Sequence, residues 1–191
     1  MFRKRGLIIT SIDAKIISEN GSATKGNSIM TSEQLTLSPF YKGWDVYQGY
    51  LTTAIAPLTD EQLTLRLVPH LRSVGELAAH IIATRAGWYH ELMGEGGDSL
   101  VELSTWDEEG MPVRNAAELV SGLETTWQVV QDELAHWTPA DLDYVFEGVR
   151  GTRPYRFTRQ WVIWHVIEHD LHHGGEMFFT MGAHGLATPD L

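Results

Sequence analysis

The chain has 191 residues, 43% hydrophobic and 10% aromatic, enough for one core of ordinary size, and its lack of cysteine excludes disulfides, Cys-ligated zinc and a Cys nucleophile. A formal net charge of −11 disfavours binding to a phosphate backbone, and no basic cluster with interleaved aromatics offsets it. No apolar run approaches the roughly 20 residues that span a bilayer, and the opening MFRKRGLIITS is stopped by Asp13 too soon for a signal peptide, so we expect a cytoplasmic protein without nucleic-acid or membrane partners.

Residues 1–29 carry five basic and two acidic residues, which leaves the remainder at −14. The stretch ENGSATKGNSI is rich in Gly, Ser and Asn, the composition of a linker. We therefore expect a disordered N-terminal extension over 1–29 and a single domain over 30–191, with Met30 as a candidate natural start. From there the pattern is helical. Phe40, Trp44, Tyr47 and Leu51 share one helical face, with Ser38 as N-cap and Pro39 at the first helical position. A second helix opens at the Ser73/Glu76 capping box, repeats Leu77, Ile81, Thr84 and Trp88, and stops at the glycines after Met93.

GEGGDSLVELSTWDEEGMPVR lacks periodicity, is rich in Gly and acids, and reads as a long crossover, a kind of connection that is often functional. A third helix begins at Asn115 and Glu118 and repeats Leu119, Leu123, Trp127, Val130 and Leu134. TPADLDYVFEGVRGTRPYRF breaks the pattern without a convincing strand series, and a last helix runs from about Thr158 to Met181. Four long helices with one long crossover make an all-α four-helix bundle the economical architecture.

The last helix contains four of the nine histidines within nine positions: His165, His169, His172 and His173. Residues four apart lie about 40° apart around a helix axis, so His165, His169 and His173 form a column. An i, i+4 pair of imidazoles can ligate one divalent ion, and a third ligand would project from a facing helix. His80 is the best candidate, mid-helix on the otherwise apolar face of ELAAHIIA. From spacing alone, a metal site and an ordinary polar stripe both stand.

HDLHHGGEMFFTMGAHG resembles the C-terminal signature of the DinB/YfiT-like superfamily, a pattern of the type HxxxHRGQ, with His169 and His173 on its histidines and Gly175 on its glycine. SVGELAAHIIATRAGW is similar to that family's second-helix segment, with His80 at the third ligand position, and LTDEQLTLRLVPHLRSVGEL has the family's look before it. The resemblance covers Met30 to Gly185. It implies a four-helix bundle holding a divalent metal, commonly zinc or nickel, on His80, His169 and His173, with positions left for water, and in many members a homodimer. Some relatives are transferases or isomerases that use bacillithiol, mycothiol or glutathione, others are assigned as hydrolases, and many have no known activity. Two positions depart: the motif's Arg is Gly174 and its Gln is Glu176, so any contact made by that Arg is in doubt.

His165 is expected as a packed residue below the site and His172 as one pointing to the surface or an interface. Glu76, one turn before His80, either orients it or serves only its cap. Glu168 and Asp170 flank His169 and are expected to be solvated. Three neutral imidazoles leave an ion with vacant positions, the pattern of a catalytic site, where a bound water or thiol has a lowered pKa. The expected function is therefore a metal-dependent thiol S-transferase or hydrolase acting on a small molecule, such as a low-molecular-weight thiol, in a pocket lined by Trp and Tyr. The alternative is a non-catalytic metal- or small-molecule-binding protein. A role on DNA, suggested only by the family's name, is opposed by the acidic composition.

Overall fold

The structure, a computed structural model, describes residues 35–190, and the extension expected over residues 1–29 lies outside them. Among the described residues, apolar positions at helical spacing produce four long helices: α1 (Lys42–Ile55), α3 (Val74–Ala86), α4 (Ala116–His136) and α5 (Arg159–Ala183), with α2 (Asp60–Leu63) a single turn between the first two. Both α1 and α3 pack on α4 and α5, so the bundle runs α1–α4–α3–α5 around its axis. The core lies between them, with Trp44, Leu51, Ile81, Leu123, Val130 and Val166 buried along the facing stripes.

Local chemistry sets the helix ends. Ser73 Oγ accepts from the Glu76 N–H and Glu76 accepts from the Ser73 N–H, a capping box that starts α3 where the sequence places it. Asn115 and Glu118 do the same for α4, and Thr158 accepts from Trp161 N–H at the start of α5. The first helix differs from expectation. Ser38–Phe40 form a separate 3-10 turn ending at Tyr41, and α1 begins at Lys42 with no side-chain cap. Phe40 is thus out of register with Trp44, Tyr47 and Leu51, and is 63% exposed while they are buried.

Beyond Ala86, α3 continues through Gly87–Leu92 as a π-helical turn. The crossover to α4 follows, carrying 3-10 turns at Gly97–Leu100 and Leu103–Thr105 and anchored by buried Leu100, Leu103 and Trp106.

The segment before α5 contains strands that periodicity did not announce. β1 (Val145–Arg150) and β2 (Arg153–Thr158) form an antiparallel hairpin whose turn has Gly151 at φ +63°. Few of its residues are buried, which erases the in–out alternation that identifies a strand. Among the described residues no helix is long and apolar enough to cross a membrane.

Candidate metal centre

His80 projects from the middle of α3 toward α5, where His169 and His173 stand one turn apart on the facing stripe. The Nε2 atoms of His80 and His169 are 3.0 Å apart. Ring centroids are separated by 4.6 Å for His80–His169, 4.6 Å for His80–His173 and 4.4 Å for His169–His173. One ligand nitrogen from each ring lies within 4.8 Å of the others. The fold brings together the three residues expected from the sequence, though 89 positions separate the first two.

Two carboxylates set the ring tautomers. Asp107 Oδ2 lies 2.6 Å from His80 Nδ1, and Glu176 Oε2 lies 2.7 Å from His173 Nδ1. A carboxylate can only accept, so each holds a proton on Nδ1 and leaves the Nε2 lone pair bare. The bare Nε2 of His80 faces His169 Nε2, and two lone pairs at that distance repel unless a proton or a cation lies between them. Without a cation the proton sits on His169 Nε2, and with one it sits on Nδ1. In both states His169 Nδ1 is buried with no hydrogen-bond partner among the described residues, so it is the facing Nε2 lone pairs that favour a cation. Three imidazole donors with carboxylates behind two of them are the chemistry of a divalent zinc-type site, and the residues fit such an ion.

Burial reinforces this donor set. It pushes the His80 pKa below the usual imidazole value, with Asp107 opposing, and pushes His169 down to about 3 with the help of the neighbouring histidines. Both rings are neutral near pH 7, as ligation requires. Thr84 places its hydroxyl 3.2 Å from His169 Nε2, and a cavity of about 950 Å³ opens beside His80 and His169, bordered by Thr84, Trp88, Trp161 and His165.

Several neighbours differ from the sequence reading. Glu76 does not touch His80: its carboxylate serves the α3 cap and Arg66, 2.5 Å away. The partner of His80 is Asp107, itself 3.1 Å from Arg72, delivered by the crossover. The acidic run in STWDEEG was the signal for it, without a way to single out one acid. Glu168 is exposed as expected, but Asp170 is fully buried. One residue past His169 the helix has turned about 100°, away from α3's histidine and into the bundle interior. There Asp170 accepts from Arg85 Nε at 2.9 and 3.1 Å and from Trp44 Nε1 at 2.7 Å, while Arg85 Nη1 donates to Gln48 Oε1 at 2.7 Å. Gln48 reaches the Leu123 carbonyl on α4, so this network ties all four long helices. Burial pushes the Asp170 carboxyl up, and the Arg85 guanidinium opposes that rise.

His165 packs against Trp161 and Trp88 below the cluster, with its ring centroid 6.3 Å from His169, and His172 is exposed. The two motif departures have local reasons. A Cβ at buried Gly174 would run into the Tyr47 hydroxyl and Leu51, so α1 fills the space of a larger side chain. Glu176 supplies the charge that fixes His173.

The family model for the DinB family matches residues 30–191 of this chain. The fold is similar to the crystal structure of a DinB-like protein from Bacillus cereus ATCC 10987, at 23% identity and TM-score 0.63, over 82% of this chain and 97% of that one. It is also similar to a DinB-like protein (YjoA) from Bacillus subtilis, at 15% identity and TM-score 0.53, over 75% and 90%. At these identities the likeness concerns the fold alone. No curated protein matches the chain.

Proposed function

The chain belongs to the DinB family, and from its three-histidine cluster we propose that it binds one divalent ion through His80, His169 and His173 and acts as a metal-dependent enzyme on a small molecule. The observation that carries this reading is the convergence of three imidazole nitrogens within 4.8 Å, two of the rings braced by a carboxylate. Neutral nitrogen donors favour zinc or nickel over magnesium or calcium. The cavity beside the cluster favours catalysis over a closed structural site, since it gives a substrate access to positions that the protein does not fill.

A divalent ion held there would supply Lewis acidity and lower the pKa of a water or thiol in its vacant positions. The chain's own residues do the rest. His80, His169 and His173 hold the ion, and Asp107 and Glu176 keep the Nδ1 protons of His80 and His173 in place. The Thr84 hydroxyl stands where it can donate to a group beside His169. Trp88 and Trp161 give one side of the cavity an apolar lining.

The family resemblance points to transfer to or from a low-molecular-weight thiol, or to hydrolysis, and since no Ser/His/Asp arrangement competes in the sequence, a water or thiol beside the histidines is the nucleophile in either case. Metal-loaded protein is assayed with small thiols and electrophiles, and separately with ester and amide substrates. The proposal predicts turnover in one of the two sets that chelation abolishes and zinc or nickel restores. Turnover unaffected by chelation, or none in either set, contradicts the enzymatic reading.

A further inference from the structure

The cavity beside the cluster has one wall made of rings. Tyr155 and Phe157 alternate on the same face of β2, and Trp161 and His165 follow one turn apart at the start of α5. Their rings form a continuous file: Tyr155–Phe157 at 5.6 Å and 11°, Phe157–Trp161 at 4.3 Å and 14°, and Trp161–His165 at 4.9 Å and 13°. Trp88, from the π-helical turn, meets Phe157, Trp161 and His165 edge-on at 5.6, 5.6 and 4.9 Å. The file ends one step from the cluster, His165 to His169.

This wall differs from the core aromatics. Trp44 and Trp127 pack against each other and are buried, whereas Trp161 is 40% exposed and Tyr155, Phe157, Trp88 and His165 are half-buried along the cavity. Local sequence supports the arrangement. Gly148 pairs with Tyr155 across the hairpin, and a Cβ on Gly148 would lie 2.5 Å from the Tyr155 hydroxyl, so only glycine lets that ring lie over β1. The irregular turn Gly87–Leu92 sets Trp88 against the file from α3.

We propose that the substrate carries a planar aromatic or heteroaromatic group, which this wall of the hairpin and α5 recognises while the reacting group is presented to the three histidines. The inference rests on the reading of those histidines as the reacting centre. Ring–ring contacts add affinity beyond that of the buried area, about 2–10-fold for one pair, and a saturated body with the same carbon skeleton gains none of it.

The test compares 2-naphthalenemethanol with its decahydro counterpart, each titrated by NMR into the full-length protein, both metal-loaded and after chelation. The naphthyl alcohol is expected to bind about 2–10-fold more tightly in both forms, with shifts centred on the indole N–H signals of Trp88 and Trp161. Trp161→Leu and Phe157→Leu, which keep apolar bulk without a ring, are each expected to reduce that preference. Should Trp161→Leu lose its fold by circular dichroism, Phe157→Leu decides. Equal affinities for the two alcohols, or a preference unchanged in the folded variants, overturn the proposal. Metal content measured on the same samples separates the two ideas. Ring preference without bound metal removes the metal reading alone, and one ion per chain without ring preference removes this one alone.

Discussion

Asp107 shows how much a metal-type site depends on what stands behind it. Its carboxylate fixes the proton on His80 Nδ1 and is braced in turn by Arg72. Removing such a partner typically costs about 10–100-fold in metal affinity, so Asp107→Ala should weaken zinc binding by that factor in a competition titration against a chelator, while Glu76→Gln should leave it unchanged. Equal affinity in Asp107→Ala would show that His80 needs no orienting carboxylate. The contrast also marks what was legible. His80, His169 and His173 could be read from helical spacing and a family pattern, because both describe regular elements. Asp107 could not, since its approach to His80 depends on the irregular path of the crossover, and local rules offered only Glu76 one turn away, divided between orienting His80 and serving its cap. For Asp170 the expectation of a solvated side chain failed because the helix face next to His169 is the bundle interior.

Among the elements, α5 carries two functions on adjacent stripes, histidines toward α3 and Asp170 into the interior. Breaking a buried ion pair by removing one partner costs about 3–5 kcal/mol, whereas replacing both with apolar residues is often near neutral. Arg85→Met and Asp170→Leu should therefore each lower stability strongly in urea denaturation, and the double variant should recover much of the loss. Additive losses would mean that the pair contributes through independent contacts. The start of α3 responds to pH. Although burial opposes it, the Arg66 guanidinium and the Ser73 N–H hold the Glu76 carboxyl below its usual value of 4.5. A depressed folded pKa gives stability that is present above the unfolded value and lost as pH falls through the folded one. The stability gap between the parent and Glu76→Gln, which keeps the cap but not the charge, should accordingly shrink from pH 7 to pH 3. A gap that stays constant would contradict this ion pair. The long helices were legible because their burial is one-sided, and the hairpin was not, because its side chains line a cavity and the surface instead of a core.

At the scale of the whole molecule, the outer stripe of α5 presents Trp164, Leu171 and Phe179 at 61, 48 and 67% exposure, seven and eight residues apart on one face. From this row of large apolar side chains on the outside of the bundle we propose the homodimer that the family resemblance implies. Leu171→Glu, which leaves every cluster residue in place, should shift sedimentation from dimer to monomer, and a parent protein already monomeric at the same concentration would remove that proposal. The three-histidine cluster is tested most directly by elemental analysis of purified protein. About one zinc or nickel ion per chain is expected, falling toward zero in His80→Ala, His169→Ala and His173→Ala variants that remain folded. A parent protein that holds no divalent ion when supplied with one, or variants that keep their full complement, would contradict it.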